Sequence, residues 1–398
     1  MNVDLQRGID RYLGQSLCYL GSLFTRRRPA PKRDPGSILV ILLSEMGSLV
    51  LAYPMFSHLR KRYPQARIYG LVFRKNREVL ELLDVLEPEN ILTIDDASAG
   101  SFIADTLRTL RRLRRLHLDA VIDCELFARV SSLLSLLSGA PSRAGFHPHT
   151  QEGLYRGSFI NRPVLYNPYL HISQQYLTLA LALESATHPL CKRKPGGRLP
   201  TAPLKPFPQE EVEDFFGRLR QRHPEIVARR LVLVYPSGGM LPIRAWPLES
   251  YKSLCRSLVE DGLSVGVIGL PDSKPLAQEI VSHCGSAHCA DLTGYTRNVR
   301  ELLLLFQRVE LLVTNDGGPG HFAALTPAPT IILFGPETPQ LYGPLSPNAH
   351  VLFSGLSCSP CVTAYNHRRS PCDGDNQCLK SIAPEAVLDK ARELLAIS

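Results

Sequence analysis

Aromatic residues are scarce in this chain, with one Trp and 7% Phe, Trp and Tyr together over 398 residues. Proteins that bind single-stranded nucleic acid stack bases on aromatic platforms, so nucleic acid is not an expected partner. No stretch reaches the run of about 18 apolar residues that spans a membrane. The N-terminus also lacks the basic-then-apolar pattern of a secretion signal, because Asp4, Arg7, Asp10 and Arg11 interrupt its apolar residues. The expected location is the cytoplasm. There is no GxxxxGK[ST] loop, which excludes P-loop hydrolysis. No Asp-x-Asp pair closes a strand either, since Asp373 and Asp375 fall in a cysteine-rich stretch. Ten cysteines are too few for a disulfide scaffold, and 44% hydrophobic residues exclude a disordered or collagenous chain.

What is present fits a chain of about two or three domains with proper cores. Lys and Arg exceed Asp and Glu by 45 to 37, an excess that suits a nucleotide or an anionic lipid surface. Leu5, Ile9, Leu13, Leu17, Leu20 and Phe24 share a helical stripe, followed by Arg26, Arg27, Arg28, Lys32 and Arg33. Two readings stand for residues 1–36: an amphipathic helix and basic linker lying on an anionic membrane, or a helix packed on the protein's own body.

From residue 37 the pattern alternates short apolar runs with amphipathic stretches. Strands are expected at 38–43, 67–72, 91–94 and 118–123, and helices at 48–61, 101–115 and 126–138. Residues 140–170, rich in Pro, His, Tyr and Gly, read as loop. The stretch 186–209, with six prolines and two glycines, reads as a linker. The same alternation then restarts, with strands at 231–236, 264–270, 311–314 and 330–335 and helices near 248–260, 274–283 and 298–308. The expected architecture is α/β, with one domain over 37–190 and a second over 205–398. Ligands on open parallel sheets sit beyond the carboxyl ends of the strands, so the loops after Leu43, Val234, Leu270 and Thr314 should face the chemistry.

Two of these loops carry motifs. TNDGGPGHFAAL at 314–325 follows a strand and opens a helix, so its glycines leave backbone N–H donors for phosphate oxygens. Asp316 could accept from a ligand hydroxyl and His321 donate to phosphate. The structural alternative is a turn using Asn315 or Asp316 as helix cap. In YPSGGMLPIRAWPLESY at 235–251, Ser237, Gly238 and Gly239 again follow a strand, with Arg244 placed to fork two phosphate oxygens.

Taken in order, a strand ending in PSGG, then RAWPLE, LTG at 292–294, TNDGGPGH and FGP at 334–336 resemble glycosyltransferase family nine, the bacterial heptosyltransferases. The resemblance spans roughly residues 37–396 and implies the GT-B fold, two Rossmann-like doubly wound domains facing a central cleft. It also implies an inverting transfer of heptose from ADP-heptose to the lipopolysaccharide core or another glycan or glycolipid acceptor. By the same likeness, Ser237, Gly238, Arg244, Asp316, Gly317, Gly318 and His321 lie near the diphosphate or the sugar, and Asp272 near the ribose. No cofactor is required for catalysis in that family. An acceptor of this kind is carried by a membrane, which implies peripheral contact with the inner face of the cytoplasmic membrane.

The N-terminal half departs from the family pattern. Where the family reads MGD and uses the Asp as general base, this chain reads SEMGSLVLAYP, with Ser48 in that place. A neutral serine accepts a proton poorly. Glu45, three residues earlier, is the nearest carboxylate and is expected to take over as base. The rivals are a sugar-nucleotide binder without turnover and a GT-B nucleotide-sugar epimerase.

Cys358, Cys361, Cys372 and Cys378, in a loop over 357–379 with His367 between them, form a CxxC pair followed by a second pair at unusual spacing. A structural metal site (zinc or iron–sulfur), disulfides and reduced thiols packing a loop all remain open. Cys124 and Cys255 are expected in the core. His147, His149 and His171 could reach an acceptor, although lone histidines are commonly structural. The basic run at 108–117 reads first as a solvated helix face.

Overall fold

The computed structural model describes residues 8–24, 34–43, 45–126, 128–147, 155–187, 190–192, 199–364 and 369–397. The chain divides between Thr201 and Ala202 into two compact units. Among the described residues, no helix is long and apolar enough to cross a membrane.

The first unit is built on a six-stranded sheet in the order β3-β2-β1-β4-β5-β6, parallel throughout. Its strands are β1 (Ser37–Ile41), β2 (Arg67–Phe73), β3 (Ile91–Ile94), β4 (Ala120–Asp123), β5 (Ser142–Phe146) and β6 (Arg162–Val164). The central strands are continuously apolar because helices cover both faces. These helices are α1 (Gln15–Phe24), α2 (Met46–Leu51), α3 (Tyr53–Arg62), α4 (Arg77–Leu83), α5 (Ala99–Arg115), α6 (Arg129–Leu137) and α7 (Ile172–Leu181). Leu39, Ile41, Leu71, Val121 and Leu113 are fully buried between them.

The second unit repeats the plan, with β12-β11-β10-β7-β8-β9 as its order. Its strands are β7 (Leu231–Tyr235), β8 (Ser264–Val267), β9 (Cys289–Asp291), β10 (Leu311–Asn315), β11 (Thr330–Phe334) and β12 (Ala349–Phe353). The helices are α8 (Gln209–Arg222), α9 (Leu248–Glu260), α10 (Lys274–Cys284), α11 (Val299–Phe306), α12 (Gly318–Ala323), α13 (Pro339–Tyr342), α14 (Gln377–Lys380) and α15 (Pro384–Leu395). Both sheets therefore reverse strand order once near the middle, between β1 and β4 and between β7 and β10. A doubly wound sheet opens its ligand crevice at such a reversal.

Several expectations change. The single helix expected at 48–61 is two, α2 and α3, broken at Ala52 (φ −81°, ψ −6°). Pro54, in the first turn of α3, cannot donate to the turn before it and so prevents a continuous helix. The stretch 140–170 is not all loop, since it holds β5 and β6. Arg143 masks β5 by interrupting its apolar pattern, yet its side chain is buried and Nε donates to Phe159 O at 2.8 Å.

The N-terminal helix turns its expected stripe outward. A π-helical turn, Asp10–Gly14, leads into α1, and both dock through small and polar residues. Asp10 Oδ1 accepts from the Arg129 and Val130 amides at 2.8 and 3.0 Å, so it caps α6 from outside. Cys18 is fully buried, and a Cβ on Gly21 would lie 2.7 Å from Leu136 Cδ2. Ser22 Oγ accepts from Tyr155 Oη at 2.7 Å and from the Ser158 amide at 3.0 Å. Leu13, Leu17, Leu20 and Phe24 all remain exposed. Leu5 and the run from Arg26 to Arg33 lie outside the described residues.

Candidate functional site

The second unit's site is assembled by Asn315 at the end of β10. Its Nδ2 donates to Ser237 O at 3.0 Å, while its Oδ1 accepts from the Trp246 amide and from Tyr251 Oη, each at 3.0 Å. One buried amide side chain thus ties the turn after β7 to the start of α9. The Trp246 indole donates to Ile382 O at 2.9 Å and anchors the short 3-10 turn Pro242–Arg244. Gly238 is required for close approach, because a Cβ there would meet Leu241 O at 2.6 Å and Pro242 Cα at 2.9 Å.

This scaffold aims Arg244 at two carboxylates. Nη2 lies 2.9 Å from Glu337 Oε1, and Nε 3.6 Å from Asp316 Oδ2. All three side chains are largely withdrawn from water, at 12, 2 and 6% exposure. Arg244 is therefore a positioned cation rather than a mobile surface arginine. Gly317 and Gly318 follow Asp316 and open α12, with His321 buried on that helix. The cap of α12 is Gly317, so neither Asn315 nor Asp316 serves as cap. Ser237 Oγ accepts from the Gly239 amide at 3.0 Å. Asp272 sits exposed in the turn Pro271–Ser273, and its charge adds to burial in raising the Tyr235 hydroxyl.

At the first unit's reversal, Glu45 is the N-cap residue of α2 and Ser48 lies in its first turn. Ser48 Oγ donates to Glu45 Oε2 at 3.0 Å. Tyr176 reaches in from α7 beside Ser48, and burial holds its hydroxyl well above the ordinary value. The loop after β1 is fixed by Glu125, whose Oε1 accepts from the Leu43 amide at 2.6 Å, and by Asn76, whose Nδ2 donates to Leu43 O at 2.5 Å. Beneath it, Asp123 pairs with Arg156, and neither is exposed to water.

Glu337, Asn315 and Tyr176 were absent from the sequence-based set. Glu337 directly follows the FGP motif and Asn315 lies inside TNDGG, so both had a signal; Tyr176 had none. His171 is a helix cap, its Nδ1 accepting from the Ser173 amide at 3.2 Å. His147 is buried edge-on against Tyr155, with ring centres 5.5 Å apart. His149 and His367 lie outside the described residues.

The four cysteines of the C-terminal loop are not drawn together as ligands. Among the described residues, no group of three or more His, Cys, Asp or Glu is gathered to hold a metal ion. Cys358 and Cys372 are exposed and Cys378 is buried. Cys361 Sγ lies 3.0 Å from Ser370 Oγ and Cys378 Sγ 3.2 Å from Asn376 Oδ1. The loop instead braces the site, because the Cys361 and Val362 amides both donate to Pro336 O at 2.9 Å, one residue before Glu337. Cys124 and Cys255 are buried in the two cores.

The sequence model of Glycosyltransferase family 9 (heptosyltransferase) matches residues 106–369. The chain belongs to this family. Among curated relatives, Lipopolysaccharide heptosyltransferase 2 of Salmonella typhimurium is 25% identical over 366 residues, covering 90% of this chain and 98% of its own length. The solved structure of E. coli ADP-heptose lps heptosyltransferase II superposes with a TM-score of 0.68 at 22% identity, over 90% of this chain and 98% of that one. E. coli heptosyltransferase WaaC with ADP-2-deoxy-2-fluoro heptose gives 0.60 at 17% identity, over 90 and 99%. The fold is thus that of the GT-B heptosyltransferases, and family membership makes the chain a glycosyltransferase.

Proposed function

We propose that this protein transfers heptose from ADP-heptose to a lipopolysaccharide-core acceptor, with inversion at the anomeric carbon. The observation that carries the proposal is the convergence of Arg244, Asp316, Glu337 and the glycine turn at the β7/β10 reversal. A diphosphate leaving group develops charge as the glycosidic bond breaks, and a pre-positioned guanidinium with backbone N–H groups of Gly317 and Gly318 lowers the cost of that charge. Glu337 holds Arg244 in orientation, and Asp316 accepts from a hydroxyl of the donor sugar. Ser237 and Gly238 form the opposite wall of the turn, His321 supports it from α12, and Asp272 binds the ribose. Charge stabilisation is assigned to these protein groups, with no metal and no other cofactor required.

In the first unit, Glu45 is assigned as general base. Its carboxylate accepts the proton of the acceptor hydroxyl as that oxygen bonds to the anomeric carbon, and ADP departs. Ser48 donates to this carboxylate and fixes it from behind, with Tyr176 beside the serine. Such an acceptor is lipid-borne, which places the reaction at the surface of the cytoplasmic membrane.

The test is direct. Purified protein is incubated with ADP-heptose and heptose-deficient lipopolysaccharide cores, while ADP release and acceptor mass are followed. Release of ADP matched by gain of one heptose is the expected result. Donor binding without transfer to any core acceptor would overturn the assignment.

A further inference from the structure

We infer that the outer face of α1, together with the arginines that α5 brings to the same end of α6, is a docking surface for an anionic lipid bilayer. For its lipid-borne acceptor the inference rests on the proposed transferase activity; the surface itself is argued from α1, α6 and α5.

Helix α1, QSLCYLGSLF, carries no charged residue in any of its turns. At 100° per residue, Gly14, Cys18, Gly21 and Ser22 fall on one side, the side already shown to dock on α6 and Tyr155. The opposite arc, Ser16 apart, is apolar and faces water: Tyr12 is 74% exposed, Leu13 56%, Leu20 50%, Leu23 80% and Phe24 87%. Inside a globular protein an amphipathic helix turns such a stripe toward the core. Here small residues make the docked side, so the stripe is left for an external apolar phase. Isolated exposed apolar residues need no explanation, but a contiguous row along a whole helix marks an interaction surface.

Charge decides between a bilayer and an apolar protein partner. Helices α1 and α6 run parallel: Asp10 meets the first turn of α6, whereas Gly21 meets Leu136 near its end. At that same end Arg114 donates to Leu137 O, so the basic end of α5 and the end of α1 both meet the end of α6. Arg111 and Arg115 on α5 are exposed to solvent. An apolar face flanked at one end by cations complements acyl chains beneath anionic headgroups. Tyr12, at one border of the apolar arc, suits the interface between the two phases, and Tyr19 on the same side stacks on Tyr155 with ring centres 4.2 Å apart.

The experiment uses the full chain and sedimentation with vesicles of phosphatidylcholine, either alone or with about one-third phosphatidylglycerol. Expected is binding to the anionic vesicles, about tenfold weaker to the neutral ones, and a decline as salt rises. Leu20→Asp combined with Phe24→Asp should lower partitioning at least about tenfold. These positions are exposed, so far-ultraviolet circular dichroism and transfer to a delipidated core acceptor should stay unchanged. Arg111→Glu with Arg115→Glu should abolish the preference for anionic lipid and leave the residual neutral binding. Equal binding to both vesicle types, or binding that ignores both variants, would overturn the inference. So would a solution dimer dissolved by Leu20→Asp and Phe24→Asp, because the occupant would then be a second copy. Loss of vesicle binding with intact transfer to the delipidated acceptor separates this surface from the catalytic proposal.

Discussion

Ser48 donates a hydrogen bond from its hydroxyl to Glu45 across 3.0 Å, so the serine in the first turn of α2 serves a carboxylate three residues upstream. If Glu45 is the base, Glu45→Gln should reduce kcat by about 10²–10⁴-fold, the usual contribution of a positioned general base. The donor dissociation constant should hardly move. Ser48→Ala and Tyr176→Phe remove orientation rather than the base, and about tenfold losses in kcat are expected from each. Ser48→Asp would place a second carboxylate against Glu45. Like charges so close keep one of the pair protonated to higher pH, so the rising limb of the pH–rate profile should move upward. Titration of kcat against pH for the four variants checks this; an unaltered kcat in Glu45→Gln would remove the base assignment.

Arg244 lies between Asp316 and Glu337, and this arrangement makes a second prediction. Arg244→Ala should weaken ADP-heptose binding about 10–100-fold, the range for hydrogen bonds to charged groups. Arg244→Lys should not restore it, because an ammonium cannot keep both a carboxylate and two phosphate oxygens in one plane. Glu337→Gln should raise the donor KM less than Arg244→Ala does, since the guanidinium survives but loses its orientation. Isothermal calorimetry with ADP, alongside steady-state kinetics, measures both effects.

What could be read before the structure follows the physics of each signal. Strand β3 and helix α9 fall at 91–94 and 248–260 as expected, because a short apolar run and a 3.6-residue period are local properties. The three-residue strands β6 and β9 are too short to show any period. The order PSGG, RAWPLE, TNDGG and FGP revealed the fold and named most residues of the proposed donor site, since PSGG, TNDGG and FGP stand where parallel strands end and RAWPLE opens α9. The Arg244–Glu337 pair was beyond reach, because no local pattern says which two loops meet at a strand-order reversal. Orientation failed in the same way at α1: periodicity reports that a stripe exists, but Gly14, Cys18 and Gly21 dock by close approach and leave no hydrophobic signature.

The buried pair beneath the loop after β1 yields a stability prediction. Asp123 and Arg156 are both fully withdrawn from water, and Arg156 also donates to Ala128 O and Glu125 O. Arg156→Met would strand the carboxylate in a medium that cannot solvate it, a loss of about 3–5 kcal/mol. Adding Asp123→Asn should recover part of that loss, because the uncompensated charge is then gone. Urea unfolding of the single and double variants, with the m-value unchanged, measures the coupling. A double variant less stable than Arg156→Met alone would show that the aspartate is not the stranded charge.

Glu301 supplies a pH-dependent test in the second unit. Its carboxylate accepts from Arg297 Nε at 3.0 Å and the Arg297 amide at 2.8 Å, and Asn298 Oδ1 accepts from the Glu301 amide at 2.8 Å. The Arg297 guanidinium, working against burial, lowers the Glu301 pKa to about 2 from 4.5. For an acid with a depressed folded-state pKa, the unfolded chain takes up protons first as pH falls. The stabilisation is therefore complete above the unfolded value and lost on the way down to the folded one. Wild type should exceed Glu301→Gln by about 1–3 kcal/mol at neutral pH, the range for charge-assisted hydrogen bonds. That gap should begin to close below pH 4.5 and vanish near pH 2. Thermal unfolding of both proteins across this window provides the comparison. A gap independent of pH would mean that packing at the start of α11, rather than the ionised carboxylate, provides the stability.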